Sequence, residues 1–82
     1  MDFRGKRALI MGLGVNGSGI ASARYAAQHG AMVRVTDLRP AELLAPSIRS
    51  LEGLPIEYVL GQHREEDFLW AEIVIPVPGV KR

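Results

Sequence analysis

The stretch Ala8-Leu9-Ile10-Met11-Gly12-Leu13-Gly14-Val15-Asn16-Gly17 decides the fold. Its first four residues form a continuous apolar run, the pattern of a parallel strand buried on both faces. Gly12, Gly14 and Gly17 then follow the spacing G-x-G-x-x-G. After them comes an Ala-rich segment, Ser18 to His29, with Ile20, Ala23 and Ala27 on one helical face and Gly30 placed as the residue that ends the helix. In a strand–turn–helix context each glycine has a task. Gly12 permits the tight turn, Gly14 lets a ligand approach the backbone, and Gly17 lets the helix pack close to the strand. The helix start adds unpaired N–H groups and a partial positive charge, which together favour a phosphate.

Working outward, the alternation repeats. Met32 to Thr36 reads as a second strand ending at Asp37. Pro46 suits the first turn of a short helix running to Glu52 and stopped at Gly53. Ile56 to Leu60 is a third strand closed by Gly61, and Arg64 to Trp70 a short helix with Phe68 and Leu69 facing inward. Glu72 to Ile75 is a fourth strand, interrupted by Pro76 and Pro78. The order β-α-β-α-β-α-β predicts an α/β fold, a Rossmann-like doubly wound parallel sheet of about four strands. Right-handed crossovers favour the spatial order 3-2-1-4.

Composition narrows the function classes. Eighty-two residues make one domain, 1–82, with a thin core. A net charge of +1 without a basic run gives no support to nucleic-acid binding. The absence of cysteine removes disulfides and thiolate-ligated metals and fits a cytoplasmic setting. No run approaches the roughly 18 apolar residues of a membrane span, and Met1 to Lys6 lacks the apolar core of a signal peptide. His29 and His63 stand alone, the first as a solvated helix-end residue and the second as a turn residue at the start of the third helix, so no catalytic residue and no metal site is expected. Glu65, Glu66 and Asp67 read as favourable charges in a helix first turn. Phe68 and Trp70 read as core.

Asp37 ends the second strand, where dinucleotide folds place an acid that accepts hydrogen bonds from a ribose. Residues and spacing alone therefore leave two ligands open. One is NAD(P), with Arg39 available to a 2′-phosphate, as in a dehydrogenase or redox sensor. The other is a different nucleotide held across the same switch point.

The wording around the motifs is more specific. Gly5-Lys6-Arg7-Ala8-Leu9-Ile10-Met11-Gly12-Leu13-Gly14-Val15-Asn16-Gly17 resembles the start of the Mur ligases, in particular their D-glutamate-adding members. Asp37-Leu38-Arg39 resembles that family's Asp-x-Arg, Gly61 to Phe68 its Gly-x-His-x-x-x-Asp-Phe turn, and Val77-Pro78-Gly79-Val80 its Ser-Pro-Gly-Val. Leu38 stands where relatives often carry a polar residue, Val77 stands where Ser is usual, and Pro76 is unusual.

The resemblance implies a domain that holds the UDP part of UDP-N-acetylmuramoyl-L-alanine in an ATP-dependent ligase of peptidoglycan synthesis. It implies that Gly12, Gly14, Val15, Asn16 and Gly17 line the diphosphate–uridine path. Asp37, Leu38 and Arg39 would surround the uracil, and Gly79 would close the far side. ATP and Mg²⁺ would belong to another domain, since this chain has no G-x-x-x-x-G-K-[ST]. The chain then reads as an N-terminal fragment whose fourth strand, left at an edge, invites self-association.

Overall fold

The computed structural model describes residues 2–13 and 17–77. Four strands, β1 (Arg7–Met11), β2 (Met32–Asp37), β3 (Ile56–Leu60) and β4 (Ile73–Pro76), alternate with three helices, α1 (Ser18–Gln28), α2 (Ala41–Ser50) and α3 (Glu65–Trp70). All strand pairs are parallel and the sheet order is β3-β2-β1-β4, as the crossover rule predicts. The Ala8-Leu9-Ile10 run lies in the middle of the sheet and is fully buried, because helices cover it on both sides.

The two faces differ. On one, Ala8, Ile10, Val33 and Val35 pack with Leu13, Ala23, Ala26, Leu44 and Leu51 into the main core beneath α1 and α2. Each buried aliphatic side chain there is worth about 1.5–3 kcal/mol of transfer free energy. The other face carries Leu9, Arg34 and Thr36 and is partly covered by α3. There Asp67 of α3, fully buried, accepts hydrogen bonds from Arg34 Nη1 at 2.9 Å and from Arg64 Nε and Nη2 at 3.0 and 2.8 Å. Arg34 also pairs with Glu57 at 2.8 Å and lies 4.0 Å above the Trp70 ring. The α3 acids are thus not all helix-dipole charges, since Asp67 is the buried anchor of the helix. Trp70 is half-buried beside that cation, and Leu69, expected inward, points to solvent at 78% exposure.

Two further readings are corrected. Pro46 lies inside α2, whose N-cap is Pro40. The earlier proline, in extended conformation, sets the helix start, and the Ala41-Glu42-Leu43-Leu44-Ala45 run favours helix strongly enough to carry through Pro46. Pro76 closes β4 opposite Met11 instead of interrupting it. On an edge strand its missing N–H costs little, and the next N–H, that of Val77, reaches the Met11 carbonyl at 3.0 Å.

Helix α1 ends as read. Gly30 takes φ 91°, and the N–H groups of Gly30 and Ala31 donate to Ala27 and Ala26 at 3.2 and 3.0 Å, a Schellman closure. Its start departs from the reading. The glycine that brings helix and strand together is Gly19, not Gly17. A Cβ at Gly19 would lie 2.3 Å from the carbonyl oxygens of Gly12 and Leu13, whereas a Cβ at Gly17 would meet nothing within 4 Å. Gly17 is required for its conformation, φ 92° at the helix N-cap.

This division predicts two different costs in urea denaturation. Gly19→Ala should lose about 2–4 kcal/mol, because backbone must move to admit the methyl group. Gly17→Ala should lose about 1–2 kcal/mol, the cost of a left-handed residue. Equal losses, or a larger one at Gly17, would refute this assignment of roles.

Candidate functional site

In a doubly wound sheet, ligands gather where the C-terminal ends of the strands meet a change in winding direction, here between β1, β2 and β4. A cleft of about 410 Å³ opens there, lined by Met11, Gly12, Asp37, Leu38, Arg39, His63, Pro76 and Val77. This is within the size range of small-molecule sites, about 300–1,000 Å³.

Backbone bonds fix its floor. The Gly12 N–H donates to the Thr36 carbonyl at 2.7 Å, which carries the β1–β2 pairing one residue past the strand. The Gly19 N–H donates to the Leu13 carbonyl at 3.1 Å, tying the first turn of α1 to the glycine turn. Gly17 provides no side-chain cap, and the first turn of α1 holds no acid. Among the described residues, α1 therefore has no acid in its own first turn to offset its positive end.

Asp37 organises the wall. Its carboxylate is buried, with Oδ2 accepting from the Leu13 N–H at 2.9 Å and Oδ1 from the Arg39 N–H at 2.9 Å. The Arg39 guanidinium adds a fork, Nε to Oδ1 at 3.0 Å and Nη2 to Oδ2 at 2.8 Å. Burial pushes the Asp37 pKa up, but the bonds from the Arg39 side chain, the Arg39 N–H and the Leu13 N–H outweigh it and bring the value down from 3.8 to about 2. The same pairing raises the Arg39 pKa. Asp37 therefore clamps β1, β2 and Arg39 together. A ribose would have to compete for a carboxylate already bonded on both oxygens, so the feature that favoured NAD(P) is engaged within the protein.

The opposite wall comes from the turn after β3. The Gly61 N–H donates to both the Asp37 and Arg39 carbonyls, at 2.8 and 3.1 Å, and Asp37 bridges Gln62. This places His63 at the cleft, where its Nδ1 lies 2.7 Å from Thr36 Oγ1, and Thr36 Oγ1 donates to the Gln62 carbonyl at 3.0 Å. His63 is thus not a cap for α3, whose N-cap is Arg64 with no side-chain capping bond.

Of the residues singled out from the sequence, Gly12, Asp37, Leu38 and Arg39 meet at this cleft. Gly17 stands at the start of α1. Gly14, Val15, Asn16 and Gly79 lie outside the described residues. The sequence reading missed Met11, His63 and Pro76 as lining residues. For His63 the available signal was its place between the strand-ending Gly61 and α3, at the end of the sheet that carries the glycine turn.

The carboxylate clamp predicts an acid response. Folding lowers the Asp37 pKa, so its stabilisation is complete above 3.8 and is lost as pH falls through about 2. A change of this size is worth about 2 kcal/mol at neutral pH. Asp37→Asn should lose about 1–3 kcal/mol at pH 7 and show a flatter stability profile between pH 4 and 2. It should keep the slope contributed by Asp67, whose pKa the Arg64 and Arg34 bonds also lower. An unchanged profile in urea titrations at stepped pH would refute the clamp.

Comparison with known proteins identifies the family. Residues 6–82 match the family model described as Mur ligase MurD-like, N-terminal domain. Over 80 residues the chain is 55% identical to a UDP-N-acetylmuramoylalanine--D-glutamate ligase of Roseiflexus sp., covering 98% of this chain and 17% of that protein. It is 51% identical over 79 residues to the ligase of the same name from Treponema pallidum, covering 95% of this chain and 15% of that protein. The ligase of the same name from Geobacter metallireducens is 46% identical over 80 residues. The chain spans about a sixth of the length of the curated relatives it matches. It belongs to the Mur ligase family, as a MurD-like N-terminal domain.

Proposed function

We propose that this chain is the domain that holds the UDP end of UDP-N-acetylmuramoyl-L-alanine in a D-glutamate-adding ligase of peptidoglycan synthesis, working in the cytoplasm. The observation that carries the reading is the cleft at the strand ends. Gly12, Asp37, Leu38 and Arg39 meet there in a chain about half identical to ligases named for a UDP-linked substrate.

The domain's part is positional. In the whole enzyme, ATP with Mg²⁺ would transfer its terminal phosphoryl group to the substrate's carboxylate with release of ADP, and the amine of D-glutamate would displace phosphate to form the amide. The residues here hold the far end of that substrate. Binding energy gathered remote from the reacting carboxylate is used to orient it. The positive end of α1 suits a diphosphate, and the family resemblance puts Gly14, Val15, Asn16 and Gly17 along its path. Leu38 is 65% exposed at the rim and offers an apolar surface and backbone groups to the uracil. Arg39, with Nε and Nη2 committed to Asp37, retains further N–H groups for a ligand oxygen. By the family resemblance, Gly79 would close the far side.

Without the contacts of the other domains, affinity should be weak. UDP should bind the chain with a Kd of about 0.1–10 mM, equivalent to about 3–5 kcal/mol. Amide NMR shifts should cluster at Gly12 to Gly17, Asp37 to Arg39 and Gly79. Gly14→Val should abolish them with the fold retained, since a side chain would occupy the ligand's path. Shifts produced by NAD at lower concentration than by UDP would replace the ligase reading with a dinucleotide one. Nucleotide-dependent phosphate release by the chain alone would contradict the assignment of ATP chemistry to another domain.

A further inference from the structure

The Thr36 hydroxyl has one proton and two close partners, the Gln62 carbonyl at 3.0 Å and His63 Nδ1 at 2.7 Å. A carbonyl oxygen can only accept. If the hydroxyl proton went to Nδ1, the Thr36 and Gln62 oxygens would face each other with no hydrogen between them. Both contacts are satisfied together only when His63 carries its proton on Nδ1 and donates it to Thr36, which donates in turn to Gln62. Thr36 is fully buried, and the Gln62 backbone is held by its bridge to Asp37, so neither partner is free to turn away. The neutral ring is thereby fixed as the Nδ1–H tautomer, with Nε2 left as a lone-pair acceptor. No described residue bonds Nε2, and His63 lines the cleft with Gly12, Leu38 and Arg39. The other polar side chains of the cleft are poorly suited to accept from a ligand. Arg39 only donates, and both Asp37 oxygens are occupied.

We infer that His63 is a specificity-determining residue, its Nε2 accepting a hydrogen bond from an N–H or O–H donor on the nucleoside end of the ligand. The inference rests on the UDP reading and assigns to His63 a function that its turn position did not suggest. Two donors of a uridine nucleotide fit this chemistry, the uracil imide N–H and the ribose 2′-hydroxyl.

The test uses the 82-residue chain with UDP, N3-methyl-UDP and 2′-deoxy-UDP as probes. On adding UDP to the unaltered chain, the ring ¹⁵N resonance of Nε2 should move while Nδ1 keeps its protonated signature. His63→Asn retains a donor at the Nδ1 position and lacks any atom at Nε2. It should keep a dispersed amide spectrum and bind UDP about 3–10-fold more weakly, the value of one hydrogen bond. His63→Gln, which reaches the Nε2 position, should recover most of that loss. One of the modified nucleotides should bind the unaltered chain with a similar loss and be indifferent to His63→Asn, and which one does so names the donor. UDP binding that is unchanged by His63→Asn, a proton found on Nε2 in place of Nδ1, or full affinity for both modified nucleotides would overturn the inference while leaving the UDP reading intact. Failure of the unaltered chain to respond to UDP would overturn that reading, and this inference with it.

Discussion

The site depends on one buried carboxylate. Asp37 stands at the end of β2 and reaches across to the Leu13 N–H in the turn leaving β1, while gripping Arg39 in a fork on its own side. A glycine turn has little conformational preference of its own, so something outside it must select its path. The Leu13 N–H is buried, and in Asp37 Oδ2 it has a charged acceptor at 2.9 Å. Leaving that donor without a partner would cost about 1–3 kcal/mol, a large fraction of the stability of so small a domain. The Gly61 N–H, shared between the Asp37 and Arg39 carbonyls, extends the same anchor to the turn after β3. Three loops of the sheet's C-terminal end are thus held by one residue and its near neighbour.

Most of the fold is written in local patterns. The apolar run of β1, the alternation of β2 and the glycines at Gly30 and Gly61 mark elements that the structure reproduces with ends displaced by a residue or two. What local pattern could not reveal is where distant parts meet. Gly19 carries no motif label, and only the approach of the Gly12 and Leu13 carbonyls makes it the close-packing glycine. Pro46 has the local character of a helix start, but Pro40 and the strong helical run after it begin the helix at Ala41. Leu69 looked inward by its apolarity, yet the helix it lies on is anchored through Asp67, which turns Leu69 to solvent.

The site follows the same division. The residues that a motif names, Gly12 and Asp37 to Arg39, do come together at the cleft. Asp37 is a structural clamp as well as a cleft residue, because sequence shows an acid's position but not whether its oxygens are already bonded. His63 is the converse case. Its partner Thr36 is 27 residues away, and their contact exists only because β2 and β3 are neighbours in register. The polar face built from Arg34, Glu57, Asp67 and Arg64 was likewise invisible, since its charges come from β2, β3 and the α3 region and compensate one another only when assembled.

The strand order also governs when this domain can become itself. Ala8 pairs with Val33 on one side and with Ile73 on the other, so the first strand of the chain is the centre of the finished sheet. Pairing with β2 closes a short loop, but pairing with β4 closes a longer one and costs about 1 kcal/mol more in loop closure. A chain emerging from its N-terminus therefore forms the α1–α2 side first, with β1 open along one edge. Ile73 to Pro76 then seal that edge in a single late step. Because the cleft takes Met11 from the first strand and Pro76 and Val77 from the last, it is completed only when that step occurs. By this topology a ligand in the cleft would hold β4 against β1.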